Sequence, residues 1–115
     1  MATALLYKGI SGGISGRVYY GDPAILEQVV DPKVSTVRSK EVYLAIPAYQ
    51  TLLEENPDKG SARYLQLMVL ATNEFKAAIS AVSEDKGIHV VAEEGKVSGY
   101  HVTDITLEVI KTLKK

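Results

Sequence analysis

The fold is decided by residues 39–84, SKEVYLAIPAYQTLLEENPDKGSARYLQLMVLATNEFKAAISAVSE. Apolar side chains fall at Val42, Ile46, Tyr49 and Leu53, spaced 4, 3 and 4. After a break the repeat resumes at Leu65, Met68, Thr72, Phe75, Ile79 and Val82, apolar except for Thr72 and spaced 3, 4, 3, 4 and 3. A repeat averaging 3.5 residues keeps one stripe of a helix turned toward a partner helix. Asn56-Pro57-Asp58-Lys59-Gly60 separates the two runs, and Ser61 after it suits the N-cap of the second. A short turn between two such runs predicts an antiparallel helical hairpin whose seam is made by those ten residues. Pro47 inside the first run predicts a kink or a late helix start. The second run also carries Leu67, Val69, Leu70, Ala77 and Ala78 off the seam, so it is apolar over more than one stripe and should meet more than one neighbour.

On the N-terminal side, residues 3–10 and 14–20 read as strands, and Ser11-Gly12-Gly13 reads as the turn of a hairpin between them. Asp22 before Pro23 predicts a capped short helix over 24–30, stopped by Asp31-Pro32. Residues 33–38 form another short β-like run. On the C-terminal side Gly87 ends the long helix. Residues 88–92 and 96–101 read as a strand pair about Glu93-Glu94-Gly95. Residues 104–115 predict a terminal helix, with Thr106 as cap, Val109, Ile110 and Leu113 inward, and Lys111, Lys114 and Lys115 at its negative end. The expected architecture is a single α+β domain over 1–115: N-terminal β-hairpin, antiparallel helical hairpin, C-terminal strand pair and short terminal helix.

A chain of 115 residues, 46% hydrophobic and 23% charged, can bury a core without staples. The absence of cysteine removes disulfides, thiolate nucleophiles and zinc–thiolate sites. A net charge of −1 argues against nucleic acid as the main partner, because phosphate neutralisation needs surplus Lys and Arg. No apolar run reaches the ~20 residues of a membrane span, so no membrane insertion is expected. The first residues lack a basic region followed by an apolar stretch, so no signal peptide is read there. Seven of the eight aromatics are Tyr, a residue suited to half-buried surfaces and contacts.

The residues 72–115 resemble the closing segment of the Skp/OmpH family of periplasmic chaperones. Phe75 to Gly87 matches a long helix ending in a glycine turn, and Ile88-His89-Val90-Val91 matches an apolar strand. Residues 97–100 match a second strand. Asp104-Ile105-Thr106-Leu107-Glu108-Val109-Ile110-Lys111-Thr112-Leu113 is close to a closing phrase D-[IL]-T-x-x-V-I-x-x-L. Residues 34–56 are similar to the family's first strand and the Pro-containing start of its first long helix. The resemblance implies a trimeric body of small sheets with helical arms, exported to the periplasm and holding unfolded clients without catalysis. Here the arms are shorter and not basic, and the first 33 residues lie outside the likeness.

Other chemistry is thin. Ser11, Gly12, Gly13, Ser15, Gly16 and Arg17 offer backbone N–H groups, hydroxyls and a guanidinium that suit an anion, or else simply a turn. They lack the Gly-Lys-Ser/Thr ending of a phosphate-binding loop. His89 and His101 fall in the predicted strand pair without a third ligand, so no metal site and no cofactor is expected. No serine sits in a nucleophile elbow, and no carboxylate pair has a visible cleft. The chain therefore reads as a non-enzymatic, self-associating binder of polypeptides. An oligomeric adaptor and a binder of small anions through residues 9–17 are the alternatives.

Overall fold

The computed structural model describes residues 13–114. Its elements, in order, are β1 (Gly13–Ile14), β2 (Val18–Tyr20), a 3-10 turn (Pro23–Glu27), β3 (Val34–Val37), α1 (Ser39–Leu44), α2 (Pro47–Glu55), α3 (Ala62–Lys86), β4 (Val90–Glu93), β5 (Val97–Ser98), β6 (Val102–Asp104) and α4 (Thr106–Leu113). The α+β class and the helical hairpin stand as the sequence predicts. The particles that punctuate the hairpin act as their chemistry requires. Pro47 occupies the first turn of α2, where its missing N–H is not needed, so the kink is resolved as two helices. Ser61 accepts from the Tyr64 amide at 3.1 Å and caps α3. Asn56 and Gly87 close α2 and α3 in the left-handed conformation. The helix predicted over 24–30 is a 3-10 turn over Pro23–Glu27, and Asp22 caps it through the Ala24 amide at 3.0 Å.

The strands find different partners from those expected. One four-stranded sheet runs in the order β2-β4-β3-β6. β3 is parallel to both β4 and β6, and β2 is antiparallel to β4. Parallel neighbours cannot be joined by a tight turn, and the whole helical segment α1–α3 serves as the crossover between β3 and β4. The predicted reversal at Glu93-Glu94-Gly95 does not take place. Gly13 pairs with Ser98, Ile14 with Val97, Val18 with Ala92 and Tyr20 with Val91. Between these pairs the Ser15 amide donates to the Lys96 carbonyl and the Glu93 amide to that of Arg17. Residues 91–98 thus run on beside 13–20, and Gly95, at φ +84, marks an irregularity inside one long pairing. The first strand of the predicted N-terminal hairpin, residues 3–10, and its turn residues Ser11 and Gly12 lie outside the described residues.

At its two central strands both faces of the sheet are covered, so every residue of β3 and the first three of β4 are buried, while the edge strand β6 is exposed. The face toward the helices belongs to the main core of Val37, Val42, Ile46, Phe75, Ile79, Val82, Val91, Ile105 and Val109, all buried. Phe75 is its centre: Tyr43 stacks on it with ring centroids 4.6 Å apart, and Tyr19 meets it edge-on at 5.0 Å. The Tyr19 hydroxyl donates to Glu93 at 2.6 Å. Burial, then this carboxylate, push its pKa above the ordinary tyrosine range. On the other face Leu26, Val34 and Val90 form a smaller cluster.

A polar clasp joins the two strand-to-helix junctions β3–α1 and β6–α4. Asp104 accepts from the Thr106 amide at 2.9 Å, from the Thr106 hydroxyl and, through its other oxygen, from Arg38 Nε at 3.1 Å. The Arg38 amide donates to the fully buried Thr106 hydroxyl, and its guanidinium also meets Glu41. Burial of Asp104 opposes its charge, but the Thr106 and Arg38 hydrogen bonds outweigh that and hold its carboxyl below the usual range. A depressed carboxyl pKa contributes stability above the unfolded-state value and loses it as pH falls through the folded value. Asp104→Ala is therefore expected to destabilise the chain at pH 7 by about 1 kcal/mol, mainly through the lost hydrogen bonds from the Thr106 amide and hydroxyl, since the exposed Arg38 pair contributes little. The gap from wild type, measured by urea unfolding, should narrow as pH drops below about 4.

Candidate functional site

The surface that stands out is the outer face of the helical hairpin, which carries two residues expected in the seam, Leu53 and Leu65, beside the second stripe of Val69 and Leu70. Of the ten predicted seam positions, Val42, Ile46, Phe75, Ile79 and Val82 are buried, and Tyr49, Met68 and Thr72 are half-buried. Thr72 faces the Tyr43 hydroxyl at 3.2 Å. Leu53 and Leu65 instead stand 53% and 58% exposed. The inner positions at that end belong to Leu52, Leu67 and Ala71. The cause is geometric. The buried stripe Leu67, Ala71, Phe75, Ala78 and Val82 is spaced 4, 4, 3 and 4, so toward the start of α3 it turns away from the line of Leu65 and Met68. The break at Pro47 sets α2 apart from α1, so the seam of the first run does not continue in one line.

That rotation places Leu65, Val69 and Leu70 outside, each more than half exposed. With Ala62, Arg63 and Gln66 they line a shallow depression of about 690 Å³ along the first turns of α3. Further along the same face the helix turns polar, with exposed Asn73, Lys76 and Glu84. Arg63 at the rim is held: its guanidinium donates two parallel hydrogen bonds of 2.7 Å to Glu55. The Arg63 bonds hold the Glu55 carboxyl below its ordinary value. The described part of the molecule is elongated, with extents of 53 × 31 × 18 Å, and this patch is exposed on its surface. The sequence signal for it was the second apolar stripe at Val69 and Leu70, which the heptad reading set beside the seam.

In the glycine segment, the described residues Gly13 to Arg17 are engaged with residues 93–98, while Ser11 and Gly12 lie outside the described residues. Ser15 donates both its amide and its hydroxyl to the Lys96 carbonyl, at 2.9 and 3.4 Å. Gly13 lies in β1, and Gly16 lets the Lys96 stem cross the backbone: a Cβ there would lie 2.6 Å from Lys96 Cγ. Arg17 is exposed, and its carbonyl takes the Glu93 amide. Gly16 is thus explained by packing, and the Ser15 donors by the sheet. His89 accepts from the Lys33 amide through Nδ1 at 2.9 Å, and His101 is exposed. Among the described residues no group of three or more His, Cys, Asp or Glu is placed to hold a metal ion, and no helix is long and apolar enough to cross a membrane.

Comparison with known proteins returns nothing for this chain. No family model, curated protein or solved structure matches it. The surface must therefore be read from its own chemistry. Leu65, Val69 and Leu70 carry no charge themselves, so the contacts open to them are with other apolar surface.

Proposed function

We propose that this chain is a non-catalytic polypeptide-binding protein of the holdase kind, acting as a self-associated particle, with the outer face of α3 as part of its client surface. The observation that carries this reading is the exposed group Leu65, Val69 and Leu70 on the first turns of α3. The likeness of residues 34–56 and 72–115 to the Skp/OmpH chaperones supports it, and implies a trimer and a periplasmic setting. Binding by apolar contact needs neither a cofactor nor ATP.

Light scattering from an aggregating client tests the proposal. Stoichiometric protein should suppress the signal. The variant Leu65→Ser/Val69→Ser/Leu70→Ser should lose most of that effect while keeping its circular dichroism and melting temperature, because these side chains lie outside both core clusters. A wild-type chain with no effect on clients sinks the holdase reading. If it also forms a stable oligomer and captures one folded partner, an adaptor role replaces it.

A further inference from the structure

We propose that the His89 imidazole is an acid-sensitive latch at the entrance to β3 and β4, shut when the ring is neutral and opened by its protonation.

The geometry names the state of the ring. The Lys33 amide donates to His89 Nδ1 at 2.9 Å, and a backbone amide can only donate. Nδ1 must therefore offer a lone pair, which leaves the neutral ring its proton on Nε2. A second proton can go only to Nδ1, and it ends that bond. The charged groups around the junction are few. The Lys33 Nζ donates to the Lys86 carbonyl at the end of α3, while Asp85 and Lys86 themselves line the cleft shared with α4. On the β2 side Gly21 lies against the His89 carbonyl, and the Asp22 carboxylate after it is taken by the Ala24 amide. Among the described residues no carboxylate is paired with the ring. A charge gained by His89 therefore adds to that of Lys33 on one short junction.

Position gives the latch its reach. Lys33 is tied here by its amide, by its Nζ and by its carbonyl, which accepts from the His89 amide at 2.9 Å and the Val90 amide at 3.4 Å. The parallel pairing of β3 with β4 starts one residue on, at Val34 and Val90, both buried with Leu26 in the smaller cluster. The approach to Lys33 has little else to hold it. Val30 is 92% exposed, and Asp31 sits at φ +57, a backbone that persists only where its surroundings fix it. Loss of the Lys33 amide bond therefore loosens residues 30–33 first. Histidine is the side chain whose charge changes between about pH 5 and 8. The bond exists only with the neutral ring, so its contribution is present at the alkaline end of that window and lost toward the acid end.

Amide exchange on the full chain, followed by nuclear magnetic resonance, tests this. Between about pH 7.5 and about pH 5.5 the protection of the Lys33 amide, corrected for the intrinsic rate, should fall by about fivefold or more. His89→Asn, which brings a carbonyl oxygen near the place of Nδ1 and does not titrate, should show no such step. His101→Asn should keep it, since these are the two histidines of the chain. At about pH 8 the ring-nitrogen spectrum of the wild type should show a bare Nδ1 and a protonated Nε2. The reverse tautomer overturns the proposal even if neither variant folds. It is equally overturned by a Lys33 amide indifferent to pH, by a step that survives His89→Asn, or by one that vanishes in His101→Asn.

Discussion

Replacing Phe75 with alanine is expected to cost about 3–5 kcal/mol, read as a shift in the urea unfolding midpoint with little change in slope. The ring is 2% exposed and is shared by three elements: its own α3, Tyr43 from α1 and Tyr19 from β2. Truncation leaves a void facing two tyrosine rings, whose hydroxyls are anchored on Thr72 and Glu93. Those anchors limit how far the rings can move to fill the space. Phe75→Leu, which keeps most of the volume, should cost clearly less. Equal costs for the two variants would show that the site collapses freely and that the rings are not held.

Gly21→Ala is expected to be nearly as damaging, at about 3 kcal/mol or more. Gly21 sits just after β2 at φ +79, where a side chain is strained whatever the space. Space is also lacking, since a Cβ built there lies only 2.0 Å from the His89 carbonyl oxygen. That oxygen is backbone at the entrance to β4, so it has little freedom to yield. The edge strand β2 should be pushed from β4 and take Tyr19 away from Phe75. Hydrogen exchange should show the β2 amides losing protection before those of α3 do. Unchanged exchange in β2 would count against this account.

These two sites also mark the limit of what was legible in the sequence. The hairpin turn, the Ser61 cap, the Gly87 stop and the break at Pro47 are local devices, each encoded within a few residues, and all could be read directly. Strand partners are not local. β3 meets β4 across the whole helical crossover, and nothing near Val34–Val37 announces that. Glu93-Glu94-Gly95 has the composition of a reversal, yet the pairing with residues 13–20 continues through it. Gly21 looked like simple punctuation, because the carbonyl that excludes a side chain lies far along the chain. The adjacent pair Leu52-Leu53 shows the same limit on the surface. Either residue satisfies a helical repeat, and only the placement of α2 decides that Leu52 is inside. For that reason the outer face of α3 emerged as a site only once the seam had been rotated off Leu65.

The place of β3 at the centre of the sheet fixes an order of events at the ribosome. Both of its neighbours, β4 and β6, are synthesised after α1–α3, so Val34–Val37 must wait more than fifty residues for the first of them. The hairpin can gather early from contacts near in sequence, whereas the sheet closes late at a high contact order. A nascent or truncated chain ending before Val90 would leave this strand, buried in the folded chain, without either parallel partner and exposed to aggregation through its bare edges.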